Sequence, residues 1–200
     1  MKKSLILNLF PIRTLRELFF WGSLALFVSS CDQSKVRFGK DRAFPGLNYT
    51  GDGELTDHGS KSGIFRFVLD LGQVNLKEAV AELHELKGLP QVEFVCYLRV
   101  DHPLAVTGRA KGEFQAGGLV VEMTLTDQDG NEIFTESASL NRWTWSGSVG
   151  ALQSDLYTAK TIFTPQEGKS YKISLKAPKG NPEAPTGRLL LMGGGWKAFN

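Results

Sequence analysis

Between Gly63 and Gly194 the chain repeatedly alternates apolar and polar residues with a period of two. In Gly118–Asp127, GLVVEMTLTD, the residues Val121, Met123 and Leu125 alternate with Glu122, Thr124 and Thr126. That spacing gives a pleated strand one apolar face, whereas a helix needs a period of about 3.6. Gly63–Leu71 alternates in the same way through Phe65, Phe67 and Leu69, with Arg66 on the other face. Val92–Val100, VEFVCYLRV, is apolar on both faces and predicts a central strand covered on each side. The turn Asp127–Asn131, DQDGN, carries Asp-Gly, a strong hairpin signal, and EIFTES returns from it. Ser139–Gly147, Asp155–Pro165, Lys169–Ala177 and Thr186–Gly194 are further strand-like runs. About eight short strands at this spacing predict a mainly β fold, an antiparallel β-sandwich or jelly-roll-like domain. The last three runs read as a closing meander that turns at Gly168, with Tyr171, Ile173 and Leu175 inward. The glycines that end the last run would let backbones approach closely.

One segment breaks the pattern. In Asn75–Pro90, NLKEAVAELHELKGLP, the residues Leu76, Val80, Leu83 and Leu86 fall at helical spacing. Asn75 with Glu78 resembles a capping box, and Gly88 with Pro90 supplies a stop. The expectation is one short amphipathic helix of about three turns packed on the sheets.

The N-terminus has a different character. Lys2, Lys3, Arg13 and Arg16 face Glu17 alone within the first thirty residues. The apolar run Leu18–Val28 that follows is eleven residues long, too short for a bilayer core that needs about 20. A cationic start, a short apolar run and small residues at its end form the pattern of a secretory signal peptide. Its removal takes the net charge from +2 to −1, which leaves no general attraction to nucleic acid or anionic lipid.

The end of that segment, Val28-Ser29-Ser30-Cys31, resembles the lipobox of bacterial lipoproteins: an aliphatic residue, two small residues and a cysteine. The resemblance covers the N-terminal segment only. The n-region is long and contains Pro11, and Val28 stands in place of the usual leucine. The resemblance implies that the Cys31 thiol receives a diacylglyceryl group and that cleavage precedes Cys31. Two or three acyl chains make such attachment stable, where one is marginal. It further implies a location on the periplasmic side of the cell membrane. Asp32 resembles the signal that retains enterobacterial lipoproteins in the inner membrane; the outer membrane is the alternative. The expected organisation is a signal peptide over 1–30, a polar tether over 31–41 and the sandwich over 42–200.

Cys96 then has no disulfide partner, and within VEFVCYLRV it reads as a small buried hydrophobe. His58, His84 and His102 show no standard metal-ligand spacing, so no metal site is expected. Asp101 and His102 lack a serine in a Gly-x-Ser-x-Gly elbow. DQDGNE departs from a calcium loop, having Glu132 at the sixth position and Ala138 at the twelfth. No cofactor is implied, and no catalytic residue is nominated. Trp143 and Trp145, two apart, share a face if they lie on one strand. Inward they fill the core, a placement that polar Arg142 and Thr144 favour; outward they form a platform for a sugar ring or a protein. Trp196 follows the last strand and is a further candidate contact.

These readings converge on a non-catalytic, membrane-anchored extracytoplasmic lipoprotein that binds a protein partner in the cell envelope. It would be immunity- or inhibitor-like, or a subunit of an envelope complex. The alternative is carbohydrate or cell-wall binding through Trp143 and Trp145. The anchor is tested directly: Cys31→Ala should abolish lipid labelling in cells and leave a slower-migrating, uncleaved precursor. An unchanged processing pattern would remove Cys31 as the attachment point.

Overall fold

In the computed structural model, the described residues are 35–39, 44–61, 63–101, 118–149 and 154–195. The chain divides into two units, Met1–Gln33 and Ser34–Asn200, and every described residue lies in the second. Among the described residues it has eleven strands: β1 (Val36–Phe38), β2 (Glu54–Lys61), β3 (Ile64–Val74), β4 (Glu82–Lys87), β5 (Phe94–Val100), β6 (Val120–Asp127), β7 (Glu132–Ser139), β8 (Thr144–Val149), β9 (Ser154–Phe163), β10 (Ser170–Lys176) and β11 (Gly187–Gly194). They form a seven-stranded sheet of order β1-β2-β3-β11-β5-β9-β8 and a four-stranded sheet of order β4-β10-β6-β7. All pairs are antiparallel except β1 with β2.

The fold is the expected mainly β sandwich, because the period-two pattern supplies an apolar face to each sheet. Phe67, Leu69, Cys96, Leu98, Leu189 and Leu191 from the larger sheet meet Val121, Met123, Leu125, Ile173 and Leu175 from the smaller in one core. β5 lies within its sheet and is buried on both faces: Tyr97 joins Leu156 and Leu190 in a second cluster on the outer face. The Asp-Gly turn joins β6 to β7 as expected. Gly130 has a positive φ of 83°, and the Asp127 carboxylate accepts the backbone N–H groups of Asp129 and Asn131.

The expected helix is absent. Residues 75–81 are irregular, and 82–87 form β4, the edge strand beside β10. Half of the supposed apolar stripe faces solvent: Val80 is 49% and Leu83 60% exposed, while Leu76 and Leu86 are buried. The Asn75 side chain does bond backbone, accepting the Lys77 N–H at 3.0 Å, but this closes a turn in place of capping a helix. Pairing with β10 over six positions overrides the helix preference of ELHELK. The expected meander is also corrected. β9 and β11 belong to the larger sheet and β10 to the smaller, so the turn at Gly168 crosses between layers.

Of the stretch 31–41 expected as a tether, residues 35–39 are described. Val36–Phe38, within 31–41, pair in register with Leu55–Asp57 of β2. A buried carboxylate holds this corner. Asp57 is fully buried; its two oxygens accept the Phe44 and Gly59 N–H groups, each at 2.7 Å, and its carbonyl accepts the Gly39 N–H at 2.6 Å. The bond to Gly59, which has a positive φ of 74°, shapes the bulge where the β2–β3 register shifts. The bond to Phe44 seats its ring edge-on against Phe65 and Phe67. Asp57→Ala removes both acceptors from two N–H groups and should cost about 3 kcal/mol in urea unfolding. Asp57→Asn keeps one acceptor oxygen and should lose roughly half of that.

Candidate functional site

The outer face of the larger sheet carries a polar groove. Leu55, Asp57, Phe67 and Leu69 point into the core, so their neighbours Glu54, Thr56, Val68 and Asp70 point outward. With Arg37, His58 and Arg188 they line a cavity of about 480 Å³. Its charges are paired internally. Arg37 Nε lies 2.7 Å from Glu54 Oε1, and Arg188 Nε donates to both Asp70 oxygens at 2.8 Å. Arg66 Nη2 donates to the His58 carbonyl, and Arg99 Nε contacts Asp101 at 3.3 Å. A charged ligand would have to compete with these pairs for the arginines.

A second surface carries exposed apolar side chains. At the start of β7 the register with β6 shifts: Leu125 opposes Phe134 and Thr126 opposes Glu132, leaving Ile133 as the extra residue of a bulge. Ile133, 43% exposed, lines a cavity of about 340 Å³ with Ile162, 55% exposed, above Phe163 and Tyr171. Asp127, Gln128, Asp129, Thr164, Gln166 and Lys169 complete the lining. Hydrogen bonds from the Asn131 side chain, then from its backbone, hold the Asp127 carboxyl below its ordinary range. Beyond the bulge, β7 pairs regularly with β6 through Phe134–Ser139. Among the described residues no strand pairs with its other edge.

The residues nominated from sequence fall in several places. Trp143 ends the turn Leu140–Arg142 and precedes β8, so it does not share a strand with Trp145. It is 3% exposed within the core, its indole N–H lacks an acceptor among the described residues, and it cannot serve as a surface platform. For Trp145, opposite Tyr157, only the backbone is described. Cys31, His102 and Trp196 lie outside the described residues. Cys96 is buried, and burial pushes its thiol up to about 12, with Glu136 adding to the shift. A neutral buried thiol is a poor nucleophile. His84 lies on β4 where it opposes Ile173 of β10, not on a helix. Among the described residues, no three His, Cys, Asp or Glu side chains converge as metal ligands.

Alternation in Gly63–Leu71 put Val68 and Asp70 on the outer face, but no strand was expected over Glu54–Lys61, so the part of the groove made by Glu54, Thr56 and His58 was not readable. Nor was the cleft, because Ile133 and Ile162 belong to strands in different sheets.

No family model matches this chain, and no curated protein matches it. Among solved structures it is similar to a protein from Sulfurospirillum deleyianum, with a TM-score of 0.38 and 9% identity, over 62% of this chain and 95% of that one. It is also similar to part of a family GH115 4-O-methyl-α-glucuronidase with specificity for decorated arabinogalactans. There the TM-score is 0.30 and the identity 10%, over 62% of this chain and 14% of the enzyme. Neither likeness is near enough to transfer a site or an activity.

Burial shifts the two described histidines. The His84 imidazole is pushed down chiefly by desolvation, against the pull of Asp52 and Glu82, and its Nε2 lacks a partner among the described residues. His58 is lowered by desolvation and then by Arg66. A lowered imidazole means that the unfolded chain takes up protons first on acidification. The stability from neutral His84 is therefore present above its unfolded value of 6.5 and is lost as pH falls below it. Melting temperature should fall between about pH 7.5 and 5, and His84→Gln should flatten part of that fall. An identical pH slope in the variant would show that His84 is not charged on unfolding.

Proposed function

We propose that this chain is a non-catalytic, lipid-anchored protein of the cell envelope whose sandwich binds a protein partner. Val28–Cys31, behind the short apolar run Leu18–Val28, supports the anchor and its attachment at Cys31. The binding reading is carried by β7, an edge strand flanked by the exposed Ile133 and Ile162. Exposed apolar surface beside an open strand edge suits a partner that completes the sheet. The self-paired polar groove supports it less, because Arg37 and Arg188 already have carboxylate partners. The carbohydrate reading loses one of its two tryptophans, since Trp143 is buried. Residence in the inner membrane rests on Asp32 alone.

Photo-cross-linking in intact cells tests this. A benzophenone amino acid at Thr135, exposed on β7, should give a discrete adduct with an envelope protein. The same group at Thr56, in the polar groove, should not. Adducts from Thr56 alone, or from neither position, would overturn the reading.

A further inference from the structure

We propose that the β1 edge of the larger sheet lies against the membrane, with Phe38 among the lipid headgroups and Lys35 and Arg37 beside anionic ones. This rests on the anchor at Cys31 and adds to it a second contact with lipid, made by the folded domain. Covalent reach is the first argument. Lys35 is the first described residue and stands four residues beyond Cys31, so it lies at most about 14 Å from the acylated residue. Val36–Phe38 follow at once as the edge strand, and β2 is their one neighbour among the described strands. An anchored domain therefore cannot hold β1 far from the bilayer surface.

The side chains of this edge suit that surface. Phe38 is 57% exposed, and the Arg37 side chain is 75% exposed. One exposed phenylalanine would mean little elsewhere. Seven residues from an acyl anchor, it adds apolar area where the headgroup layer can take it up.

Charge selects the lipid. The sequence from Lys35 to Arg42 sets Lys35, Arg37, Lys40 and Arg42 against Asp41 alone, a net charge of +3. From Cys31 onward the chain carries −1, so the rest of it carries −4. An anionic surface attracts the stretch beside the anchor and repels the remainder, an asymmetry that the net charge conceals. Arg37 does pair with Glu54, but the pair is exposed, and such pairs are weak enough for a lipid phosphate to replace the carboxylate. Standing on β1, the larger sheet holds Ile162 of β9 five strand spacings, about 24 Å, from the lipid. Lipid at β1 and a partner at the cleft then do not compete.

A fluorophore on the acylated protein in vesicles tests this. Cys96 is buried and acylation blocks Cys31, so a label coupled to Phe38→Cys reports that position. In vesicles of phosphatidylcholine with phosphatidylglycerol, its emission should shift to the blue. Lipid bearing a nitroxide on the headgroup should quench it, less so as salt rises from about 50 to 300 mM. The same label on Ile162→Cys should emit as in water. Lys35→Gln with Arg37→Gln should weaken the quenching at position 38, and phosphatidylcholine alone should weaken it further. Equal quenching at positions 38 and 162, quenching indifferent to phosphatidylglycerol, or an unchanged signal in the double variant would overturn the proposal. Protein that floats with the vesicles and carries acyl mass on Cys31, yet emits as in water from position 38, would reject this contact and leave the anchor standing. Protein that neither floats nor carries that mass would reject both.

Discussion

Strand β11 joins the larger sheet together. On one side it pairs with β3 from Gly187–Val74 to Gly194–Arg66, on the other with β5 from Gly187–Val100 to Gly193–Phe94. Without it, β1-β2-β3 and β5-β9-β8 are two separate pieces. The fit is tight. A Cβ on Gly193 would lie 2.6 Å from the Phe94 ring, and one on Gly187 would lie 2.8 Å from the side chains of Val74 and Leu76. Glycine is needed there because the neighbouring side chains already fill the space, so the last strand both closes the sheet and seals part of the core.

That placement has a consequence for folding. β11 comes after the other described strands and unites elements made before it, so the larger sheet cannot close until the chain through β11 is available. Pairings so distant in sequence carry a loop-closure cost before their contacts form, and such topologies fold slowly. For a chain that we propose is exported and anchored at its N-terminus, late closure is compatible with crossing a membrane unfolded. The buried Asp57 works at the opposite end, where it draws Gly39, Phe44 and Gly59 to one carboxylate and sets the corner that follows the N-terminal segment.

The strands were legible because alternation is enforced by burial. Val121, Met123, Leu125, Tyr171, Ile173 and Leu175 are all buried, as their spacing implied. Asn75–Pro90 was misread because Leu, Glu, Ala and Lys favour a helix locally, and only β10, about ninety residues away, supplies the competing hydrogen bonds. Strand order was not legible either. The sheet to which a strand belongs depends on which apolar face it meets, and local pattern carries no record of that choice. Trp143 shows the same limit at one residue: its spacing from Trp145 suggested a shared face, but a turn at Leu140–Arg142 places it before the strand.

The same gap hid the cleft. Ile133 is exposed because a bulge lifts it out of the β6–β7 ladder, and a bulge is a matter of pairing, not of composition. Ile162 is exposed one residue before Phe163, which is buried against Phe94 and Tyr171. Neither isoleucine would signify much alone, since single exposed apolar residues are common. Their meaning comes from lying together beside an edge strand without lysine or proline, at the end of a hairpin fixed by Asp127. A rigid turn holds the carboxylates, a bulge aims the apolar side chain, and a regular ladder presents the backbone edge. Three local features that each have a structural reason thus share one surface.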